Sequence, residues 1–298
     1  MQEVLSNHTP HPMDFRLGGN HLITIGDTGL DTKHCFFADS EHEVPFQTLQ
    51  LKDNEIPTSF FKWNPHRKIQ SYVRFQYEEI TTDFKDFDNG HGTHIVGTAV
   101  GNPLHQNQQW KGMSPESPIL FLDMGILQDL EPYLFIPFEF QKHVLEWIYR
   151  DTPSRIFSIS WGGDFNIYSH LCREIDDFLF HHDDFIIVVA SGNLGHLGPG
   201  SIGSPATAKN ILSVGATYSN FHSFNHSIHH QEYWVQTGFC PLYHQHILNH
   251  SHLYGEHYLA SFSGRGPTHA RWTTRAERTA GGRTVSYTHL TLPTICSV

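Results

Sequence analysis

Short apolar runs alternate with stretches of helical period along residues 22–216. Leu22-Ile23-Thr24-Ile25, Ile119 to Met124, Ile156 to Ser160, Phe185 to Ala190 and Ile211 to Ala216 each predict a strand. Several are apolar on successive residues, as strands covered on both faces must be. Between them, Phe140, Val144, Trp147 and Ile148 fall on one helical face, and so do Leu171, Ile175, Phe178 and Leu179. The alternation of strand and helix predicts an α/β fold with a mainly parallel central sheet and helices on both faces.

Three segments break the pattern. Residues 39–83 have no clear period and read as a surface excursion with short strands of its own. Residues 218–257 are polar and aromatic, hold nine His, and read as a surface insertion. The spacing of His222, His226, His229 and His230 places two on one helical face, but no thiolate or carboxylate completes a metal set there. Residues 269–298 contain seven Thr, four Arg, one Glu and no Asp, Lys or Phe. They read as a disordered tail foreign to the domain, so the expected organisation is one domain over residues 1–268 followed by that tail.

Composition narrows the function. Of 298 residues 38% are hydrophobic, enough for a large buried core, and the formal net charge is −11. An acidic surface argues against nucleic acid as a partner, because phosphate binding needs a basic footprint. No apolar run approaches the roughly 20 residues of a membrane span. Met1 to Gly19 has neither a basic start nor an apolar stretch and does not read as a signal peptide. The four Cys are too few and too scattered for a disulfide framework.

The chemistry concentrates at strand ends. Asp27-Thr28-Gly29 follows the first strand, where α/β proteins place their sites. The same triplet occurs in aspartic proteases, but that chemistry needs two such carboxylates and the chain has one copy. His91-Gly92-Thr93-His94 follows the turn signal Asp88-Asn89-Gly90 and opens an apolar helix. A His on a first helical turn feels the positive end of the dipole, which favours the neutral imidazole a general base requires. His91 and His94 as a zinc pair would lack the i,i+4 spacing and the Glu of a metal-binding helix. Ser191-Gly192-Asn193 follows another strand, where a side-chain amide in a Gly-rich loop can donate to a developing oxyanion, the alternative being a plain turn. Ser160-Trp161-Gly162 follows a third, where glycine leaves backbone bare for a peptide to pair against.

In combination and order, Asp27-Thr28-Gly29, His91-Gly92-Thr93-His94, Ser160-Trp161-Gly162, Ser191-Gly192-Asn193 and Phe262-Ser263-Gly264-Arg265-Gly266-Pro267 resemble the subtilisin-like serine proteases over residues 20–268. The resemblance implies a serine endopeptidase acting on polypeptide. Asp27 would orient His91, His91 would be the base, and Asn193 the oxyanion donor. Ser160, Trp161 and Gly162 would pair with substrate and floor the first specificity pocket. No cofactor is implied; calcium is compatible with the resemblance, with no residues assigned to it.

One departure matters. The family's nucleophile stands in a Gly-Thr-Ser helix start, and no Gly-Thr-Ser occurs in the 298 residues. The expectation is a fragment cut before the nucleophile and inactive as it stands. The alternative is a non-catalytic pseudoprotease that binds a peptide or protein partner.

Overall fold

The computed structural model describes residues 21–59, 61–104, 111–128, 131–217 and 259–268. Residues 218–257, with the His-rich stretch, and the tail 269–298 lie outside the described residues.

Strand β1 (Ile23–Asp27) sits near the middle of the main sheet, flanked by β5 (Ile119–Asp123) and β8 (Ile156–Ile159), both parallel to it. Beyond β8 lie β9 (Ile186–Ala190) and β10 (Leu212–Val214); beyond β5 lie β3 (Ile69–Tyr77) and β2 (Phe46–Gln50). These seven strands run parallel, and only the short β4 (Ile80–Thr81) pairs antiparallel, against β3. A separate hairpin, β6 (Gly125–Gln128) with β7 (Glu131–Leu134), leaves the end of β5.

Alternation along each strand splits the core in two. Leu120 and Leu122 of β5 and Val73 and Phe75 of β3 join one buried cluster, whereas Ile119 and Phe121 of β5 and Ile69 and Tyr72 of β3 join the other. The first is closed by α2 (Glu146–Asp151), entered through a wide π-helical turn at Gln141–Leu145, and by α3 (His170–His181). Phe140, Val144, Trp147 and Ile148, the predicted face, are all fully buried there. Ser169 caps α3, its hydroxyl accepting from the Cys172 backbone N–H at 3.3 Å. The second cluster is closed by α1 (His91–Val100) through Val96 and Val100. Helices therefore cover both faces, as the two-sided apolar strands require.

Residues 39–83 correct the expectation of a surface excursion. They supply β2 and the nine-residue β3, whose first five residues are buried, and so extend the main sheet. The period was hidden because buried Gln70 and Ser71 interrupt the apolar pattern. Each is satisfied locally: Gln70 donates to the His66 carbonyl at 2.9 Å, and Ser71 accepts from Gln47.

Candidate active site

Because β1, β5, β8 and β9 are parallel, the segments that leave them gather at one edge of the sheet. Asp27 ends β1; Trp161 and Asn193 follow the ends of β8 and β9. Helix α1 starts over the same edge and brings His91 to Asp27. The His91 Nδ1 donates to Asp27 Oδ1 at 2.6 Å across 64 residues of sequence. Asp27 is fully buried, and its Oδ1 also accepts from the Thr28 backbone N–H at 2.7 Å. The imidazole remains 45% exposed, so it is both anchored and reachable.

Three side chains fix the start of α1, where backbone N–H groups have no partner within the helix. Gly90, at the N-cap, lies in the left-handed region (φ 64°) and offers no capping side chain. Asn89 Oδ1 accepts from His91 N–H (3.2 Å), Thr28 Oγ1 from Gly92 N–H (2.9 Å) and Asp86 Oδ2 from Thr93 N–H (2.8 Å). Gly92 is required for another reason: a Cβ there would stand 2.1 Å from the Gly29 carbonyl oxygen. The bare backbone lets α1 press onto the turn that follows Asp27.

The dipole argument for a neutral His91 is corrected. The hydrogen bond to Asp27 raises its pKa above the ordinary value; burial opposes this, and the charges of Asp27 and Asp86 add to it. His94 shifts the other way, lowered by burial and by its neighbour His91. Among the described residues no group of three or more His, Cys, Asp or Glu is arranged to hold a metal ion.

The loop bearing Asn193 is built by close backbone contact. Asn193 itself is exposed, while the residues around it are tied to the segment 259–268. Gly195 N–H donates to the Phe262 carbonyl (2.7 Å), Gly264 N–H to the Gly192 carbonyl (2.8 Å) and Ile202 N–H to the Arg265 carbonyl (3.0 Å). The Ser263 hydroxyl accepts from Ala216 N–H at 2.9 Å. Two of the sequence motifs are thus one structural unit.

The Trp161 side chain is a core residue. It is buried in the first cluster, edge-on to Phe140, and its Nε1 donates to the Gly26 carbonyl at 2.9 Å. It locks the exit of β8 against β1. Ser160 is half-buried and Gly162 exposed; Gly163 N–H is already taken by the Ser204 carbonyl at 2.8 Å.

Motif reading missed Asp123. It is the register partner of Asp27 on β5, fully buried, and bound by the Tyr72 hydroxyl (2.5 Å) and Gly125 N–H (2.9 Å). Burial pushes its carboxyl up to about 9, so it is neutral at pH 7. The Tyr72 oxygen in turn accepts from Leu30 N–H at 3.1 Å, bracing the stretch that follows Asp27. The only sequence signal was an Asp closing an apolar run.

A profile of the subtilase family matches residues 18–296. The chain belongs to the subtilase family. It is 30% identical over 301 aligned residues to the serine protease/ABC transporter B family protein tagD of Dictyostelium discoideum, covering 85% of this chain and 15% of that protein. It is 28% identical over 152 residues to the serine protease AprX of Bacillus subtilis, covering 45% of this chain and 31% of AprX. The chain thus spans a minor part of the length of both relatives. Among solved structures, the subtilisin-like protease Apa1 of the Antarctic Pseudoalteromonas sp. AS-11 aligns with a TM-score of 0.44 at 17% identity, over 67% of this chain and 37% of that one. The profile match runs past Thr268, where the motif-based resemblance of this subtilase chain ends.

Proposed function

We propose that this subtilase chain carries the Asp–His pair of a serine endopeptidase, His91 as the base and Asp27 as the residue that orients it. The observation that supports the reading is the 2.6 Å hydrogen bond from His91 Nδ1 to the buried carboxylate of Asp27. Asp27 selects the tautomer with the proton on Nδ1 and leaves Nε2 to take a proton from a serine hydroxyl. The same carboxylate stabilises the imidazolium that results, in keeping with the raised pKa of His91. Asn193, exposed on the loop after β9, serves as the oxyanion donor. The backbone of Ser160 and Gly162 pairs with the substrate polypeptide, Trp161 holding that edge from within. No cofactor enters the proposed reaction.

The chain as it stands has no Gly-Thr-Ser nucleophile motif, and we expect no appreciable peptide hydrolysis from it. The test is a fluorophosphonate probe on residues 1–298. Covalent labelling of any Ser, lost in His91→Ala, would show a nucleophile within the chain and defeat that expectation. The same missing motif favours a second reading, a peptide-binding pseudoprotease. Transcript sequence downstream of codon 268 separates the two: a Gly-Thr-Ser frame supports the endopeptidase, and a confirmed stop after Val298 supports the binding module.

A further inference from the structure

We propose that Asp86 is a positioning residue for the Asp27–His91 pair, its carboxylate joining the residue after Asp27 to the helix that begins at His91. The proposal rests on reading that pair as the orienting carboxylate and the base of a serine protease.

Each oxygen of Asp86 reaches a different side of the junction. Oδ1 accepts from Thr28 Oγ1 at 2.7 Å and from Phe87 N–H at 2.9 Å; Oδ2 accepts from Thr93 N–H at 2.8 Å. The carboxylate thereby takes the place of the capping side chain that Gly90 lacks, with the negative charge at the positive end of α1. It also decides where the single hydroxyl hydrogen of Thr28 goes. That hydroxyl lies 3.2 Å from Asp27 Oδ1 but 2.7 Å from Asp86 Oδ1, so its proton goes to Asp86. Asp27 Oδ1 is left to the Thr28 N–H and to His91. Without Asp86 the hydroxyl would turn to Asp27 Oδ1 and compete with the imidazole for the same oxygen. The Asp86 charge favours imidazolium as well.

The surroundings of His91 are mixed in sign. Asp27 faces it from β1 and His94 lies on its own helix. A cleft of about 470 Å³ beside the first turn of α1 is lined by Asp31 and Lys33 on one side and Lys85, Asp86 and Asp88 on the other. Among these, Asp86 is the one bonded to both Thr28 and Thr93.

The test reads His91 directly and needs no proteolysis. In the 298-residue chain, His91 resonances are assigned by their loss in His91→Ala and titrated by NMR. Asp86→Ala should lower the His91 midpoint by about half a pH unit, a screened fraction of the roughly 1–3 units a contact charge supplies. It should also weaken the hydrogen-bonded Nδ1 proton signal. Asp88→Ala, an exposed charge in the same loop, should leave both unchanged, and Asp86→Glu should restore most of the midpoint. An Asp86→Ala midpoint equal to that of the unmodified chain, or an equal fall in Asp88→Ala, overturns the proposal. If Asp86→Ala loses its dispersed spectrum, Asp86→Glu decides: a retained high midpoint supports the proposal, and one as low as in Asp27→Asn overturns it. Asp27→Asn judges the underlying pair separately. If it leaves His91 unmoved, the reading of Asp27 and His91 as a catalytic pair fails whatever Asp86 does.

Discussion

Asp27 and Asp123 stand side by side on adjacent strands, both fully buried, in different company. Asp27 has an imidazole donor at 2.6 Å; Asp123 has a tyrosine hydroxyl and one backbone N–H. With no cationic partner among the described residues, burial dominates at Asp123 and holds its proton up to about pH 9. A carboxyl whose folded pKa lies above its unfolded value of about 3.9 binds more protons in the folded state. Its stabilising contribution is complete below the unfolded value and is lost as pH rises through the folded one. Asp123→Asn cannot ionise, so it should gain stability relative to the unmodified chain between about pH 5 and about pH 9. Urea midpoints across that range check this, and parallel pH trends for the two proteins would mean that Asp123 is already ionised. Asp27 was legible through the order of its triplet with His91-Gly92-Thr93-His94 and the motifs that follow, since the triplet alone is also a common turn. Asp123 was not, because nothing in an apolar run ending in Asp says whether a donor or a cation faces it.

At the scale of the element, α1 shows how a short helix is held where chemistry is proposed. Its apolar residues Val96 and Val100 dock it on the second cluster, and its first turn is fastened by Asn89, Thr28 and Asp86. The His-Gly-Thr-His signature and the turn before it place the helix start in the sequence. The fastening by Thr28 is invisible there, since Thr28 lies 64 residues upstream of Gly92. Gly92→Ala puts a Cβ at 2.1 Å from the Gly29 oxygen, against backbone that cannot rotate away. Its cost should exceed the roughly 1–3 kcal/mol of ordinary overpacking, with His91 drawn off Asp27. Thermal denaturation together with the His91 titration checks both effects, and an unchanged midpoint with an unchanged titration would refute the close approach.

Across the whole molecule, the parallel sheet acts as a collector that brings Asp27, His91, Trp161 and Asn193 from distant parts of the chain to one edge. The Asn193 side of that edge depends on the segment 259–268. Gly264→Ala would place a Cβ 2.1 Å from the Ser191 carbonyl oxygen and separate the two segments. Hydrogen exchange should then quicken by about tenfold or more at the Gly195 and Ile202 amides, whose acceptors are Phe262 and Arg265, and stay unchanged in β1 and β5. Uniform quickening over the whole sheet would instead show that both halves open together.

The apolar runs and their helical partners were enough to state an α/β fold with a two-faced parallel sheet, while the pairing of Asp27 with His91 came only as what the resemblance of the ordered motifs to a known family implies. Local pattern carries that much because strand and helix periods are set by which side chains meet the core. Tertiary structure alone decided four things. β3 belongs to the sheet because β5 and β2 flank it, with Ser71 taking its donor from Gln47 of β2. Trp161 packs inward because Gly26 offers its indole an acceptor. His91 takes up a proton more readily than an isolated imidazole because the hydrogen bond to Asp27 outweighs the cost of burial. Asp123 stays neutral because its burial outweighs the hydrogen bonds from Tyr72 and Gly125. In each case the deciding contact joins residues far apart in the chain, and periodicity and composition hold no record of such distances.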